Sequence, residues 1–489
     1  MSRRQERKIN HLRRKINNRR IINQDILRIS IFFAVLFFAL MIYMVCFIAF
    51  DSTAVINNTY NKRTDTFKEL VDRGKIISAD GQVLAYTEKS EDGSTKRVYP
   101  YGDTFAHVVG FESMGGLGIE SSYNYYLLTS HANIFDRFAN EFAGIKSPGD
   151  TLVTTLDTGL QKELQGILNG YEGAIVALDP MTGEVKGMYS NPGFDPNTVE
   201  ENWEQITADE DSGVLLNRVT QGLFTPGSTF KVFTLMEYYR EHPEEKDTFL
   251  FDCEGTVDTG SGFIKCFSDQ VHGEETLKEA FKNSCNCAFS TIGSELDIHS
   301  FRINNEQLLF NTPLDIDIAA NPSRFELTED SSKFMIMQTS FGQGETLCSP
   351  MHLAMIASAA ANNGVLMKPH LVKEVQNYKG NHIKSFNAVQ SGRLFAEDEA
   401  AFLKEYMRAV ITDGTAQQMS YDGNYYAYGK TGTAETKSDK ETNYDHSWFM
   451  GFAENNGTYL VVCAMIENTQ EAGITGTYAA KCVFDYYFN

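Results

Sequence analysis

The hydrophobic pattern of the chain starts with one long apolar run near the N-terminus. Residues 29–50 form a stretch of 22 residues with no charge and a single serine. A helix of that length, at about 1.5 Å per residue, spans roughly 33 Å and can cross a hydrocarbon core of roughly 30 Å. A cleaved signal peptide has a shorter apolar region that ends in a small-residue cleavage site, whereas Asp51 follows Phe50 directly. We predict an uncleaved transmembrane helix.

Residues 51–150 have the pattern of a small mixed module. The segment GKIISADGQVLAYT alternates apolar and polar residues around Asp80-Gly81, which is a hairpin signal. No cluster of catalytic residue types stands in this region. We predict a membrane-proximal spacer.

From residue 151 onwards the pattern is that of a larger domain, 151–489. An early helix carries four apolar residues on one face: Leu160, Leu164, Ile167 and Leu168. Two strand-like runs follow in GAIVALDPMTGEVKGMYS, and residues 220–420 are mostly helical in pattern. Strand signals return in YYAYGKTGTAE, HSWFMGFAEN and GTYLVVCAMIEN. The pattern at the C-terminus is that of an amphipathic helix. We predict an α+β fold, of the broad α/β class, in which a central antiparallel sheet joins both ends of the domain and is flanked by helices.

The apolar run divides the charge of the chain. The net charge is −21, but residues 1–28 hold ten basic and two acidic residues, so the remainder carries −29. Basic residues favour the cytoplasmic side of a membrane helix, which predicts a basic cytoplasmic tail at 1–28 and an exported remainder. An acidic domain of this size repels a phosphate backbone, so nucleic acid is excluded as a partner.

Eight cysteines are spread thinly, seven of them outside the apolar run. An odd number at wide spacing is not a disulfide framework. Cys253 and Cys266 flank a glycine-rich loop and could pair outside the cell, although two unpaired thiols fit equally well. No spacing of His and Cys residues matches a metal site, since the CNC at 285–287 lacks a second pair. We predict no metal and no other cofactor.

The first candidate for chemistry is TPGSTFK, in which Ser228 and Lys231 lie three residues apart. Pro226 and Gly227 interrupt the preceding chain, and Ser228 suits the first turn of a helix. Residues i and i+3 share a helix face, so the Lys231 amine can reach the Ser228 hydroxyl. An amine accepts that proton only when neutral, which requires burial or nearby positive charge. Alone, such a pair is more often an exposed helix start with a solvated lysine.

Two further motifs change that balance. In KNSCNCAF, Ser284 and Asn286 offer a hydroxyl and an amide that could relay a proton and hold a substrate carbonyl. The strand-like GKTGTAE holds four more candidates: Lys430, Thr431, Gly432 and Thr433. A glycine inside a strand lets another backbone approach, the Lys and Thr donors suit an anionic group, and an exposed strand edge can pair with a peptide. A phosphate-loop interpretation of GKT fails, because Asn424 stands where a glycine is required.

The three motifs together resemble those of penicillin-binding proteins and class A β-lactamases. Longer segments are similar to class B penicillin-binding proteins, the monofunctional peptidoglycan D,D-transpeptidases. The similar segments include TTLDTGLQ, GAIVALDPMTGEVKGMYSNPGFDPN, NRVTQGLFTPGSTFK, HGEETLKEAFKNSCN, FGQGETLCSP and KTGTAE with WFMGFAEN. RGKIISADGQVLA and GIESSYNYYLL resemble that family's membrane-proximal module, so the resemblance implies a pedestal or dimerisation-like module at 51–150 and a transpeptidase domain at 151–489.

The resemblance implies a role for each site residue. Ser228 would attack the carbonyl between the last two D-alanines of a peptidoglycan stem peptide and form an acyl-enzyme, with Lys231 as its base. Ser284 would pass the proton toward the leaving amine, and Asn286 would hold the acyl-side amide. β-Lactams would acylate Ser228 as substrate mimics.

The third motif completes the implied site. Lys430 would keep the site positive and support Ser284, while Thr431 and Thr433, on either side of Gly432, would bind the terminal carboxylate. The backbone N–H groups of Ser228 and Thr433 would form the oxyanion hole. An amine from a neighbouring stem peptide would take the acyl group and complete the cross-link.

The module at 51–150 is short beside many relatives, and no glycosyltransferase-like segment separates it from the anchor. The resemblance therefore implies that a separate membrane polymerase, of the shape, elongation, division and sporulation family, makes the glycan strands. Two other functions stay open here. A membrane-anchored serine β-lactamase or β-lactam sensor shares the fold and the Ser-x-x-Lys pair, and a catalytically silent scaffold for a polymerase would share the fold alone.

Overall fold

The structure is a computed structural model that describes residues 3–46, 68–208, 212–419, 424–437, 443–469 and 473–489. Two compact units divide the chain, Met1–Lys62 and Arg63–Asn489. In the first unit the described residues form one helix, α1 (Arg3–Cys46), in which Ile26–Cys46 is long and apolar enough to cross a membrane. The last four residues of the predicted apolar run, 47–50, lie outside the described residues.

The second unit mixes short helices and strands. Its α-helices are α2 (Ala106–Val109), α3 (Gly118–Ser122), α4 (Asn124–Leu127), α5 (Ile134–Phe142), α6 (Thr158–Ile167), α7 (Trp203–Ala208), α8 (Lys231–Glu241), α9 (Leu277–Lys282), α10 (Asn286–Glu295), α11 (Ile298–Gln307), α12 (Lys333–Thr339), α13 (Pro350–Ala361), α14 (Glu397–Asp413) and α15 (Gly476–Phe488). Its strands are β1 (Val71–Asp72), β2 (Ile76–Ile77), β3 (Val83–Lys89), β4 (Thr95–Val98), β5 (Ser147–Pro148), β6 (Thr151–Thr154), β7 (Gly173–Leu178), β8 (Val185–Asn191), β9 (Leu250–Cys253), β10 (Thr256–Asp258), β11 (Phe263–Lys265), β12 (Gly273–Thr276), β13 (Val365–Met367), β14 (Val372–Gln376), β15 (His382–Ser385), β16 (Gln390–Arg393), β17 (Tyr426–Lys437), β18 (Asn443–Asn455) and β19 (Thr458–Ile466).

A five-stranded antiparallel sheet, in the order β17-β18-β19-β7-β8, joins the two ends of the larger domain as predicted. Successive side chains of a strand point to opposite faces, and every residue of 460–466 in β19 is buried, so helices cover both faces of the sheet centre. Helix α13 packs against β7, β18 and β19, while α15 packs against β18 and β19. β17 is left at the edge of the sheet.

A second sheet, in the order β15-β14-β6-β2-β3-β4, draws strands from both predicted regions. β2 and β3 form the hairpin predicted at Asp80-Gly81, where Gly81 has a φ of +82°. β6 pairs in parallel with β2 on one side and antiparallel with β14 on the other. Residues 372–385 therefore return to complete a sheet that begins at residue 76.

The prediction that residues 220–420 are mostly helical is wrong in part. Helices α8 to α14 are present, but eight short strands, β9 to β16, lie among them. Residues 250–276 fold into two antiparallel pairs, β9 with β12 and β10 with β11. Strands of three to five residues are too short for the alternation of apolar and polar residues to stand out from a helical background.

A buried ion cluster ties together three segments that precede β6, at Arg73, Arg97 and Glu120. Glu120 is fully buried and accepts hydrogen bonds from Arg73 Nε at 2.5 Å and Arg97 Nε at 2.8 Å. Burial raises the pKa of Glu120, but the two guanidinium groups outweigh it, so the pKa lies below its usual value. The carboxylate is therefore charged and paired in the folded protein.

Candidate active site

Ser228 stands on a tight turn that glycine makes possible. Gly227 has a φ of +54°, and a Cβ added to it would lie 2.4 Å from the carbonyl oxygen of Thr433. The 3₁₀ turn Gly227–Phe230 leads directly into α8, so Ser228 lies just before the α-helix rather than in its first turn. Residues i and i+3 of a 3₁₀ turn also share a face, which keeps Ser228 and Lys231 on the same side.

Lys231 is the first residue of α8 and is fully buried. Its Nζ donates to the carbonyl oxygen of Ser284 at 2.5 Å, to Asn286 Oδ1 at 2.8 Å and to Ser284 Oγ at 3.2 Å. Burial lowers the pKa of Lys231 to about 8. Among the described residues no hydrogen bond joins Lys231 to Ser228, so the amine is held by the second motif in this state.

The segment Ser284-Cys285-Asn286 turns sharply between α9 and α10. Ser284 has a φ of +60°, a left-handed conformation that costs energy for any residue with a Cβ and persists only where surrounding contacts hold it. Cys285 caps α10, with its Sγ accepting from the N–H of Ala288 at 3.4 Å. The Asn286 amide donates to the carbonyl oxygen of Lys265 at 3.0 Å, which ties the segment to β11.

Lys430 brings a second buried amine to the same hydroxyl. Its Nζ donates to Ser284 Oγ at 2.9 Å and to the carbonyl oxygen of Thr431 at 3.1 Å. Burial, together with the charge of Lys231, lowers the pKa of Lys430 well below its usual range. The two lysines therefore meet at Ser284, with their amines out of contact with bulk water.

Gly432 lets β17 lie close to the serine turn, as the sequence predicts. A Cβ added to Gly432 would lie 2.9 Å from the carbonyl oxygen of Pro226 and 3.0 Å from Thr229 Cγ2. Trp448, which pairs with Gly432 across the sheet, donates from Nε1 to the carbonyl oxygen of Thr225 at 3.0 Å. These contacts fix the turn that carries the serine against the edge strand.

The outer edge of β17 is open to a ligand near Thr433. Further along the strand, the side-chain amide of Gln343 bonds to the backbone of Glu435. In the amide orientation that satisfies both of its groups, its oxygen accepts from the Glu435 N–H at 3.1 Å and its nitrogen donates to the Glu435 carbonyl at 3.3 Å. Backbone groups of a strand alternate in direction, so the N–H of Thr433, two residues earlier, faces the same edge. Thr431 Oγ1 lies 2.5 Å from Thr415 Oγ1.

A cleft of about 980 Å³ collects most of the predicted site residues in its wall. The wall includes Ser228, Ser284, Asn286, Thr431, Gly432 and Thr433. Lys231 and Lys430 are fully buried behind them. All eight residues predicted from the three motifs thus lie together, where two serine hydroxyls, two buried amines and a donor-bearing strand edge surround a space large enough for a peptide.

The structure also adds residues that the sequence did not reveal. Thr415 and Gln343 line the cleft and bond to β17; Gln343 stands in the family-like segment FGQGETLCSP, whereas no local sequence signal marks Thr415. The fold also brings together a group of possible metal ligands that no spacing in the sequence marks, since the ligand atoms of Cys253, Cys266, His272 and Cys285 all lie within 4.8 Å of one another. Their irregular spacing matches no compact motif, so only the fold could bring them together.

Two family models match the chain. The penicillin binding protein transpeptidase domain matches residues 173–485, which is more than half of the chain, and the penicillin binding protein A dimerisation domain matches residues 73–152.

Individual proteins agree with these matches. A Mycobacterium tuberculosis protein named peptidoglycan D,D-transpeptidase PbpA is 28% identical over 421 residues, which cover 81% of this chain and 84% of that protein. The solved D,D-transpeptidase domain of a peptidoglycan glycosyltransferase from Eggerthella lenta is 29% identical, with a TM-score of 0.76 over 85% of this chain and 98% of its own. Penicillin-binding protein A from M. tuberculosis, solved as a penicillin G acyl-enzyme complex, is 26% identical, with a TM-score of 0.76 over 86% of this chain and all of its own. The chain therefore belongs to the penicillin-binding protein transpeptidase family, in its class B.

Proposed function

We propose that this protein is a serine D,D-transpeptidase that cross-links peptidoglycan stem peptides ending in D-Ala-D-Ala and is acylated by β-lactams. The observation that carries this proposal is the meeting of Lys231 and Lys430 on Ser284, next to Ser228 and the open edge of β17. The names of the relatives support it, since one is a D,D-transpeptidase and another is solved as a penicillin G acyl-enzyme.

In the acylation step, Ser228 Oγ attacks the carbonyl carbon between the two terminal D-alanines. The neutral amine of Lys231 accepts the hydroxyl proton of Ser228. Substrate binding first brings these two side chains within hydrogen-bonding distance. The C–N bond then breaks, and Ser284 delivers its proton to the nitrogen of the departing D-alanine while it receives a proton from the Lys231 ammonium, to which it is hydrogen-bonded. The product is an ester on Ser228.

The edge of β17 positions the peptide for this attack. An extended stem peptide adds alongside β17 through main-chain hydrogen bonds, with Asn286 holding the acyl-side amide. Thr431 and Thr433 bind the terminal carboxylate as hydrogen-bond donors, with the buried amine of Lys430 behind them. The N–H groups of Ser228 and Thr433 stabilise the oxyanion that forms on the attacked carbonyl.

The second step separates a transpeptidase from its alternatives. An amine of a neighbouring stem peptide attacks the ester carbonyl, forms the cross-linking amide and returns the proton to Ser228. If water attacked instead, and quickly, the protein would be a β-lactamase. If no ester formed at all, it would be a silent scaffold.

Fluorescent penicillin labelling of the full chain tests these outcomes. We expect a stable label on the wild type and on Ser268→Ala, which removes an exposed hydroxyl of the same cleft, and no label on Ser228→Ala. Incubation with a D-Ala-D-Ala peptide and a labelled D-amino acid should then yield the exchanged peptide. A label that turns over within minutes would indicate a β-lactamase, and an unlabelled wild type would overturn the proposal.

We also propose that α1 anchors the protein in the bacterial cell membrane, with the tail at 1–28 in the cytoplasm, 51–150 as the membrane-proximal module and 151–489 outside. The net charge of +8 on residues 1–28 supports this orientation. Protease added to intact spheroplasts should degrade the labelled domain. Protection of that domain until the membrane is lysed would contradict the orientation.

A separate membrane glycan polymerase of the shape, elongation, division and sporulation family is the proposed partner. The two family matches are a transpeptidase domain and a dimerisation domain, and a transpeptidase acts on glycan strands that a polymerase has made. Cross-linking in cells should join this protein to such a polymerase equally well in wild type and Ser228→Ala. Recovery of no polymerase in either would contradict the partnership.

A further inference from the structure

A side chain closes the outer edge of β17 beyond Thr433. The amide of Gln343 accepts from the N–H of Glu435 at 3.1 Å and donates to its carbonyl oxygen at 3.3 Å. In an antiparallel ladder, residues exchange both of these hydrogen bonds at every second position. The side chain of Gln343 therefore takes the place that one residue of a neighbouring strand would take.

The loop that carries Gln343 is fixed to the serine turn. The carbonyl oxygen of Gly342 accepts from the N–H of Gly227 at 2.9 Å, one residue before Ser228. Gly342 has a φ of +87°, and a Cβ added to it would lie 1.8 Å from the carbonyl oxygen of Gly227. The N–H of Gln343 donates to the carbonyl oxygen of Gln338 in α12 at 3.2 Å. Gln343 is half-buried in the wall of the cleft, so its amide belongs to the fixed frame of the site.

This contact leaves one open backbone position on the edge. Backbone groups of a strand face one edge at every second residue, so those of Thr431, Thr433 and Glu435 face the cleft. The carbonyl oxygen of Thr431 accepts from Lys430 Nζ at 3.1 Å, and Gln343 takes both groups of Glu435. Within the described part of β17 that lines the cleft, Thr433 is the position where both backbone groups can receive a ligand.

The register of a bound stem peptide rests on the proposed function. Thr431, which is proposed to bind the terminal carboxylate, precedes Thr433 on β17. The peptide therefore runs antiparallel to β17, and its penultimate D-alanine pairs with Thr433. Residues of a strand rise about 3.4 Å each, so the fourth residue from the end would stand about 7 Å further along, at Glu435. Gln343 already occupies that position.

We propose that Gln343 is a specificity-determining residue, which ends the peptide-binding edge at Glu435 and restricts recognition to the last three residues of the stem peptide. The third residue from the end stands opposite Ala434, whose backbone groups point to β18. The fourth residue must turn away from the sheet. Stem peptides that differ only upstream of their last three residues therefore react equally well.

Exchange of the terminal D-alanine in two peptides tests the proposal with the full chain in detergent. One peptide is diacetyl-Lys-D-Ala-D-Ala, and the other carries two further α-linked alanines before the lysine. We expect the wild type to exchange both with values of kcat/KM that agree within about twofold. Gln343→Ala frees two backbone groups of Glu435, so it should prefer the longer peptide by roughly tenfold, as two added hydrogen bonds allow.

The ratio between the two peptides separates specificity from a purely structural role, because a displaced β17 would slow both exchanges by the same factor. Gln338→Ala, which removes another glutamine from the cleft wall, should keep the wild-type ratio. A wild type that prefers the longer peptide by about tenfold, or a Gln343→Ala variant with the wild-type ratio, would overturn the proposal.

Deuterium uptake at the N–H of Glu435 reports this contact without any turnover. We expect slow uptake in the wild type and in Ser228→Ala, and fast uptake in Gln343→Ala, since an unpaired edge N–H exchanges readily with water. Fast uptake in the wild type would show that the edge is open and would overturn the proposal. If the wild type is neither labelled by penicillin nor active on either peptide, the proposed function fails, while deuterium uptake still decides whether Gln343 closes the edge.

Discussion

Lys231 and Lys430 donate hydrogen bonds to the same hydroxyl, that of Ser284, at Nζ–Oγ distances of 3.2 and 2.9 Å. Two buried ammonium groups so close together repel each other and lose their hydration, so the arrangement favours at least one neutral amine near neutral pH. Burial lowers the pKa of both lysines, and the charge of Lys231 lowers the pKa of Lys430 further. Ser284 thus joins a buried amine on α8 to a second buried amine on β17.

The acylation rate should follow the charge of Lys231. A base acts only when neutral, and its pKa is about 8, so the rate of penicillin acylation should rise about tenfold per pH unit below pH 8 and level off above it. Lys231→Arg keeps the positive charge but cannot deprotonate, so it should abolish acylation while the protein still folds. Stopped-flow labelling across the pH range measures this, and a flat profile would contradict the role of Lys231 as base.

The hydroxyl of Ser284 should affect the acylation rate, and its backbone conformation should affect the stability of the fold. Ser284→Ala and Ser284→Gly both lose the shared hydroxyl, so both should acylate about 10²–10⁴-fold more slowly than the wild type. The glycine variant should be more stable than the alanine variant by about 1 kcal/mol, because only glycine adopts a φ of +60° without strain. Urea denaturation compares the two, and equal stabilities would argue against backbone strain at this position.

A methyl group at Gly432 should separate β17 from the serine turn. Gly432→Ala places a Cβ 2.9 Å from the carbonyl of Pro226, so we expect a loss of about 1–3 kcal/mol in stability and a loss of acylation. Gly166→Ala is the matched control, because a Cβ at that helical position meets no atom within 4 Å, and it should stabilise the protein slightly. Thermal unfolding measures the stability of each variant, and penicillin labelling measures its acylation. A fully active Gly432→Ala would show that the serine turn can shift without loss of acylation.

Glu120 should make the membrane-proximal region sensitive to acid. Glu120→Gln leaves two buried guanidinium groups without their anion, which should cost about 3–5 kcal/mol of unfolding free energy. Glu405→Gln removes an exposed partner of Lys278 and should cost less than about 1 kcal/mol.

The pH dependence of that loss has a definite sign. The folded pKa of Glu120 lies below its unfolded value, so its stabilisation is complete above about pH 4.5 and is lost as the pH falls through the folded pKa. The gap in stability between wild type and Glu120→Gln should therefore shrink in acid. A gap that stays constant down to pH 3 would mean that the carboxylate contributes no charge-dependent stability.

The sequence predicted which residues meet at the candidate site because each motif carries its chemistry locally. Ser228 and Lys231 share a face by spacing alone, and Gly432 in a strand signals a close approach of another backbone. The sequence could not show that Lys231 bonds to Ser284 and Asn286 rather than to Ser228, since this depends on how α8 and α10 pack.

The cysteine cluster was missed for a similar reason. The sequence indicates a possible pair of Cys253 and Cys266, but His272 and Cys285 join them only through the pairing of β9 with β12 and the cap that Cys285 forms on α10. Antiparallel pairing of strands of four residues leaves little periodic signal, so these contacts lie beyond what local patterns reveal.

The return of β14 and β15 to the sheet that begins at residue 76 affects the order in which the protein can fold. β6 lies between β2 and β14, so its outer edge stays unpaired until residues 372–376 have been synthesised. Contacts between residues so far apart in sequence form late and slowly. Until they form, β6 has an exposed edge that can pair with the wrong strand. The strands β2, β3, β4 and β6 therefore cannot complete their sheet while the chain emerges. Truncation anywhere before β14 should leave an incomplete sheet that aggregates rather than a smaller stable domain.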